Sequence, residues 1–286
     1  MQKVEFETLK MSIKDKVMTI TLCRENMNAF NGQMLNELLQ VLDEADANDD
    51  VRAIILTGDG KAFCAGADLE SGTSTFEYKD DSIEEFRDGG GILSLRIYEL
   101  KKPIIAAING AAVGIGATMT LPMDIRIASS NAKIGFVFAR RGITPEACSG
   151  WFLPRVVGIS KAAELVLTGK IIPAEEALKI GLVSHVVSPE ELLSTAEAIA
   201  REIAENTSAI SVALSRQLMW KMLGADHPYE SHKIESKMLQ WIGQQDDVRE
   251  GITSFFEKRK PDFPMKVSTD MPGFYPWWKP NRDGEA

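Results

Sequence analysis

The chain has 286 residues, 44% hydrophobic and 26% charged, with a formal charge of −9, which is enough apolar material for one large domain or one domain with an appended piece. The acidic balance argues against a nucleic-acid partner, because phosphate binding draws on clustered Lys and Arg, although a local basic patch can still hold a small anion. Cys23, Cys64 and Cys148 lie far apart with no CxxC pairing, and the only histidines are His185, His227 and His232, a set that predicts reduced thiols and no metal site.

In chain order, the first twenty residues intersperse Lys, Glu and Asp among apolar positions, so they resemble neither a secretory leader nor a targeting helix. No run approaches the roughly 20 apolar residues of a membrane span, and a cytoplasmic location is expected. Residues 16 to 22, KVMTITL, and 51 to 57, VRAIILT, are β-branched runs bounded by turn residues and predict buried strands. Between them Met34, Leu35, Leu38, Leu39 and Leu42 recur with helical period before a polar Asp/Asn cluster. Residues 70 to 91 are polar, Gly-rich and acidic and predict a loop or weak helix, either at a binding mouth or on plain surface. Strands are predicted again over 103 to 110 and 124 to 130, with GIGATMTLPM between them as a helix or helical turn. This alternation argues for an α/β architecture built from similar units.

From residue 160 the pattern turns helical. One helix ends at Gly169, and a second starts with Pro173 in its first turn and stops at Gly181. Ser188 and Glu191 form a capping box for a helix to about residue 205, and two amphipathic helices are predicted over 208 to 223 and 228 to 258. The expected division is a core over 1 to 200, a helical subdomain over 201 to 260 and a tail over 261 to 286. That tail holds five prolines and the pair Trp277 and Trp278, and it is expected to pack on its own or a neighbouring subunit because an exposed Trp pair is costly.

Two predicted strands run into small-residue loops, KAFCAGADL at 61 to 69 and NGAAVGIGAT at 109 to 118, where backbone can approach a ligand and helix-start amides lack internal partners. Taken alone, Gly114 and Gly116 are equally a tight turn with no ligand. The spacing is neither G-x-G-x-x-G nor a phosphate loop, and G-x-S-x-G is absent. The two loops together, followed by DIRIA, by LTGKIIPAEEALKIGLVSHVV at 167 to 187 and by EGITSFFEKRKPDF at 250 to 263, closely resemble the crotonase superfamily, also called the enoyl-CoA hydratase/isomerase family, over residues 10 to 263. That resemblance implies a spiral of ββα units, a helical C-terminal trimerisation region and assembly as a homotrimer or a hexamer made of two trimers. It also implies an acyl-CoA thioester substrate, whose coenzyme A travels with it, and no prosthetic group. Family members cup the thioester oxygen with two backbone N–H groups, which fall here on Ala67 and Ile115. Such donors stabilise the enolate formed when a proton leaves the neighbouring carbon. Ile115 keeps its N–H although its side chain narrows the pocket. Gly114, Ala65, Asp68 and Leu69 carry over as substrate contacts, mainly through backbone. Phe255 carries over as an aromatic closing the acyl pocket and Lys258 as a basic residue reaching the CoA phosphates, both often from a neighbouring subunit.

Hydratases of the family carry two glutamates at places that read Thr118 and Phe138 here, so hydration by that route is not expected. Glu146 remains, within PEACSG, which resembles the peroxisomal type of 3-enoyl-CoA to 2-enoyl-CoA isomerase; that likeness implies one acid/base shuttling a proton across three carbons. Read locally, Thr144, Pro145 and Glu146 equally make a helix start, with the acid favoured by the dipole. A helix start favours the ionised carboxylate and a dry acyl pocket the protonated one. Three readings stay open: a double-bond isomerase; a hydratase, hydrolase or other crotonase-fold enzyme using Glu146 or an acid from residues 77 to 88; and a non-catalytic acyl-CoA binder.

Overall fold

The computed structural model describes residues 6–78 and 82–278. The first five residues, part of the loop expected at 70 to 91 and the end of the expected tail therefore lie outside the described residues. The strands are β1 (Leu9–Lys14), β2 (Val17–Leu22), β3 (Ala53–Gly58), β4 (Ala62–Cys64), β5 (Ile104–Ile108), β6 (Ala111–Val113), β7 (Ile125–Ser129), β8 (Lys133–Gly135), β9 (Ile171–Pro173) and β10 (His185–Val187). The helices are α1 (Gly32–Ala47), α2 (Gly89–Tyr98), α3 (Ile115–Thr118), α4 (Ser149–Val157), α5 (Ile159–Thr168), α6 (Ala174–Lys179), α7 (Leu192–Asn206), α8 (Ala209–Met222), α9 (Pro228–Ile242) and α10 (Asp246–Glu257).

Two sheets form. The larger has the order β1-β2-β3-β5-β7-β10 and the smaller β4-β6-β8-β9. β1 and β2 are an antiparallel hairpin whose turn residues Asp15 and Lys16 both have positive φ, and β2, β3, β5, β7 and β10 then run parallel. The chain climbs by leaving a strand of the large sheet, adding one to the small sheet and returning through a helix. This is the expected α/β spiral, carrying a helical C-terminal region.

Burial on both faces explains the unbroken apolar strands. Ile54 and Leu56 of β3, with Ile104 and Ala106 of β5, join the main core with Met34, Leu38 and Leu42 of α1. Their neighbours Ala53, Ile55, Ile105 and Ala107 face Leu192, Ala196, Ala200 and Ala204 of α7. A parallel sheet sandwiched in this way needs apolar side chains at every position. A third cluster joins Ile210, Ala213 and Leu214 of α8 to Met265, Val267, Met271, Phe274 and Trp277, so the Pro/Trp-rich segment lies along its own subunit.

Some alternatives left open are decided here, and other expectations are corrected. The Gly-rich stretch at 89–91 opens α2, with Asp88 as its cap, because a Cβ at Gly89 would stand 2.9 Å from a Leu35 methyl and one at Gly90 only 1.8 Å from Glu146 Oε2. Close packing, not a loop, demands those glycines. The span 228 to 258 is two helices, α9 and α10, broken at Gly243 to Gln245, where Asp246 and Asp247 supply the acidic first turn that favours a new start. The helix after the second glycine loop is the single turn α3. Pro173 ends β9 and caps α6 instead of entering it. The Ser188 hydroxyl bonds the Glu191 carboxylate at 2.8 Å and the Ser188 amide reaches it at 3.3 Å, so only the returning half of the capping box forms and α7 begins at Leu192.

Candidate active site

β4 and β6 are parallel neighbours in the small sheet, so the loops that follow them emerge side by side. They touch through their glycines. A Cβ on Gly116 would lie 2.0 Å from the Cys64 carbonyl oxygen, and Gly66 has a φ of +113, with a Cβ there 3.2 Å from the Val113 oxygen. The Phe30 N–H donates to the Gly66 oxygen and the Asp68 N–H to the Phe30 oxygen, both at 2.8 Å, so the Ala67 amide between them faces away from Phe30 in this parallel bridge. Ile115 opens α3 behind Gly114, and a first-turn amide has no acceptor within its helix. Two N–H donors thus stand at the ends of adjacent strands.

Glu146 is not in a helix start. α4 begins at Ser149, after Ala147 and Cys148 with φ of 57 and 54, and this left-handed pair ends any helical run through Pro145. The dipole of α4 therefore does not act on Glu146 as a first-turn residue. The side chain is set instead by two contacts from other elements, and the backbone that follows it by a third. Thr118 Oγ1 donates to Oε1 at 2.6 Å. Gly90 of α2 lies against Oε2, with the Ile115 Cδ1 methyl 2.7 Å from the same missing Cβ. Asp88 Oδ2 accepts the Ala147 N–H at 3.0 Å and the Gly91 N–H at 2.6 Å. Burial raises the Glu146 carboxyl to about 7; the Thr118 hydrogen bond opposes this, and the nearby Asp88 carboxylate adds to it. Burial thus sets the direction, with no helix start to oppose it.

The other expected residues fall as follows. Thr118 is fully buried and Phe138 is 4% exposed in the main core, and neither side chain carries a carboxylate. The Ala65 N–H donates to the Met27 oxygen at 3.1 Å. Asp68 pairs with Arg24 at 2.8 Å, and that guanidinium holds its carboxyl below the ordinary range, leaving backbone as what this stretch can offer a ligand. Leu69 is exposed beside it. Phe255 is 78% exposed on α10, its ring neighbour being Phe256 at 5.8 Å, and Lys258 is the left-handed cap of that helix; no contact within the chain brings either to Glu146. Burial pushes the Cys64 thiol up to about 12 and also raises Cys148, so both stay protonated and unreactive. The described residues hold no cluster of three or more His, Cys, Asp or Glu arranged for a metal, and none of their helices is long and apolar enough to cross a membrane.

Sequence reasoning missed Gly90 and Arg24, and held Asp88 only as one of the acids of residues 77 to 88, with no place in the site. An aspartate directly before a glycine run is an N-cap signal, but the glycines resembled loop composition.

A family model described as enoyl-CoA hydratase/isomerase matches residues 12–266. An enoyl-CoA hydratase of Alternaria alternata is 44% identical over 251 residues, covering 87% of this chain and 83% of its own. The 1,2-epoxyphenylacetyl-CoA isomerase of Escherichia coli is 34% identical over 265 residues, covering 89% and 97%. The crystal structure of a probable enoyl-CoA hydratase/isomerase from Mycobacterium abscessus matches with a TM-score of 0.84 at 31% identity, covering 90% of this chain and 99% of that one. Hydratase is the more frequent name among such relatives, so the likeness by itself gives no preference for isomerases. The adjoining glycine loops, the two-sheet spiral and these matches agree: the chain belongs to the enoyl-CoA hydratase/isomerase family, whose enzymes act on CoA thioesters.

Proposed function

We propose that the protein is an acyl-CoA double-bond isomerase that moves a 3-enoyl double bond into conjugation with the thioester, with Glu146 as its single acid/base. The observation that carries this reading is a buried carboxyl with a proton affinity near neutrality, while the two places that hold glutamates in family hydratases are a threonine and a phenylalanine. In this scheme the thioester oxygen accepts hydrogen bonds from the Ala67 and Ile115 amides. Glu146 takes a proton from the carbon next to the carbonyl, the electron pair moves onto the oxygen as an enolate, and the same proton returns two carbons along. Each oxyanion donor is worth about 2.7–4 kcal/mol to such a transition state. A general base works best when its pKa lies near the working pH. Gly114, Ala65, Asp68 and Leu69 would line the thioester and nucleotide, while Thr118 and Phe138 floor the acyl site. Phe255 and Lys258, exposed here, would complete it from a neighbouring subunit of a homotrimer or a hexamer of two trimers, and no prosthetic group enters the scheme.

A second reading, hydration, is favoured by the names of the relatives and by Asp88, which supplies a second carboxyl beside Glu146. The two are separated by assay. Isomerisation predicts that a 3-enoyl-CoA gains the ultraviolet absorbance of a conjugated thioester, that crotonyl-CoA takes up no water, and that Glu146→Gln lowers turnover by about 10²–10⁴-fold. Robust loss of crotonyl-CoA absorbance through hydration, or a fully active Glu146→Gln, would defeat the proposal.

A further inference from the structure

Asp88 joins two segments that the sequence separates by 59 positions. Its Oδ2 caps the first turn of α2 through the Gly91 N–H and also accepts the Ala147 N–H. Ala147 directly follows Glu146 and, with Cys148, adopts a left-handed conformation that L-residues seldom take, one that persists only where surrounding contacts enforce it. Between the two anchored amides, Gly90 offers the Glu146 carboxylate a surface with no side chain.

We propose that Asp88 is a positioning residue for Glu146: one of its oxygens ties α2 to the turn after Glu146, holding the carboxyl against Thr118. The proposal rests on the isomerase reading for its consequence in catalysis, and on the geometry for its consequence in proton affinity. The titratable groups whose charge couples to Glu146 are Asp88 from the start of α2, Cys64 from the end of β4 and Cys148 on its own loop; Thr118 of α3 contributes only a hydroxyl. Both thiols are held neutral by burial, so Asp88 is the charged neighbour, and it opposes ionisation of Glu146.

Two variants divide these roles. Asp88→Asn keeps an oxygen able to accept both amides but removes the charge, so the acid limb of the kcat/KM profile moves down by about one pH unit. Asp88→Ala removes the acceptor as well, releases the turn, and lowers kcat by about 100-fold with KM changed only a few-fold. A readout independent of turnover is the infrared band of the protonated Glu146 carboxyl, identified by its loss in Glu146→Gln, whose titration midpoint falls in Asp88→Asn. An unmoved infrared midpoint in Asp88→Asn, or wild-type kcat in Asp88→Ala, overturns the proposal. If Asp88→Ala does not fold, the infrared titration of Asp88→Asn decides. Should Glu146→Gln keep full turnover, the isomerase reading falls while the infrared midpoint still reports whether Asp88 governs Glu146.

Discussion

At Glu146, proton affinity and stability are coupled. Its carboxyl sits near 7 in the folded protein and near about 4.3 in an unfolded chain. Between those values the folded state binds the extra proton, so stability is highest below the unfolded value, falls as pH rises through this window and levels off above the folded value. On the proposed mechanism activity runs the other way, because only the carboxylate removes a proton. The kcat/KM profile should therefore rise with a midpoint near 7, the folded value. Glu146→Gln removes the ionisation cost: it should melt close to the wild type at pH 4.5 and higher than it at pH 8, by about 2–4 °C for each kcal/mol relieved. Thermal melts at the two pH values check this, and an offset equal at both would show that the buried charge is not its source. Thr144, Pro145 and Glu146 spell a good helix start, yet the chain does not use it. The deciding contact, Ala147 N–H to Asp88, comes from a distant segment, and no local pattern contains it.

At the level of elements, α2 is where composition left loop and weak helix open and packing decided. Three glycines in a row argue against a helix, each costing about 1 kcal/mol relative to alanine. The cap at Asp88 and the close approach of Leu35 and Glu146 account for them. Gly90→Ala is the sharpest test. Its new methyl would meet the mobile end of the Glu146 side chain rather than backbone, so the protein should fold, with α2 itself favoured by about 1 kcal/mol, while turnover falls by about 100-fold as the carboxylate is displaced. Melting and kcat measured on one preparation check it; unchanged turnover would mean that Oε2 does not need its place beside α2. The strands, by contrast, were legible as short apolar runs. Ile54 and Leu56 face one core and Ala53 and Ile55 the other, so β3 reads as continuous apolar sequence and needs no alternation to be recognised.

For the whole molecule, the exposed aromatics are where the expected assembly can be tested. Ile252, Phe255 and Phe256 leave most of their surface uncovered on α10, whereas the Trp-rich segment is occupied by its own subunit, with the Lys221 ammonium 3.7 Å from the Tyr98 ring centre and 4.3 Å from that of Trp278. An uncovered apolar surface of this kind favours self-association. Sedimentation should give three or six times the chain mass, and Phe255→Asp with Phe256→Asp should reduce it and lower turnover together. A dissociated variant with wild-type turnover would show that each chain holds a complete site.

The amino-acid sequence alone was enough for the α/β alternation and the two glycine loops, because buried strands and tight turns leave marks on neighbouring residues; the spiral and the isolation of Glu146 as a candidate acid came through the family resemblance that those residues carry. Tertiary structure alone decided that Glu146 lies outside any helix, that burial sets its proton affinity, and that Asp88, Gly90 and Thr118 surround it. Those contacts join residues 28 to 59 positions apart, and desolvation depends on what the folded chain brings around a group, which no local window of sequence contains.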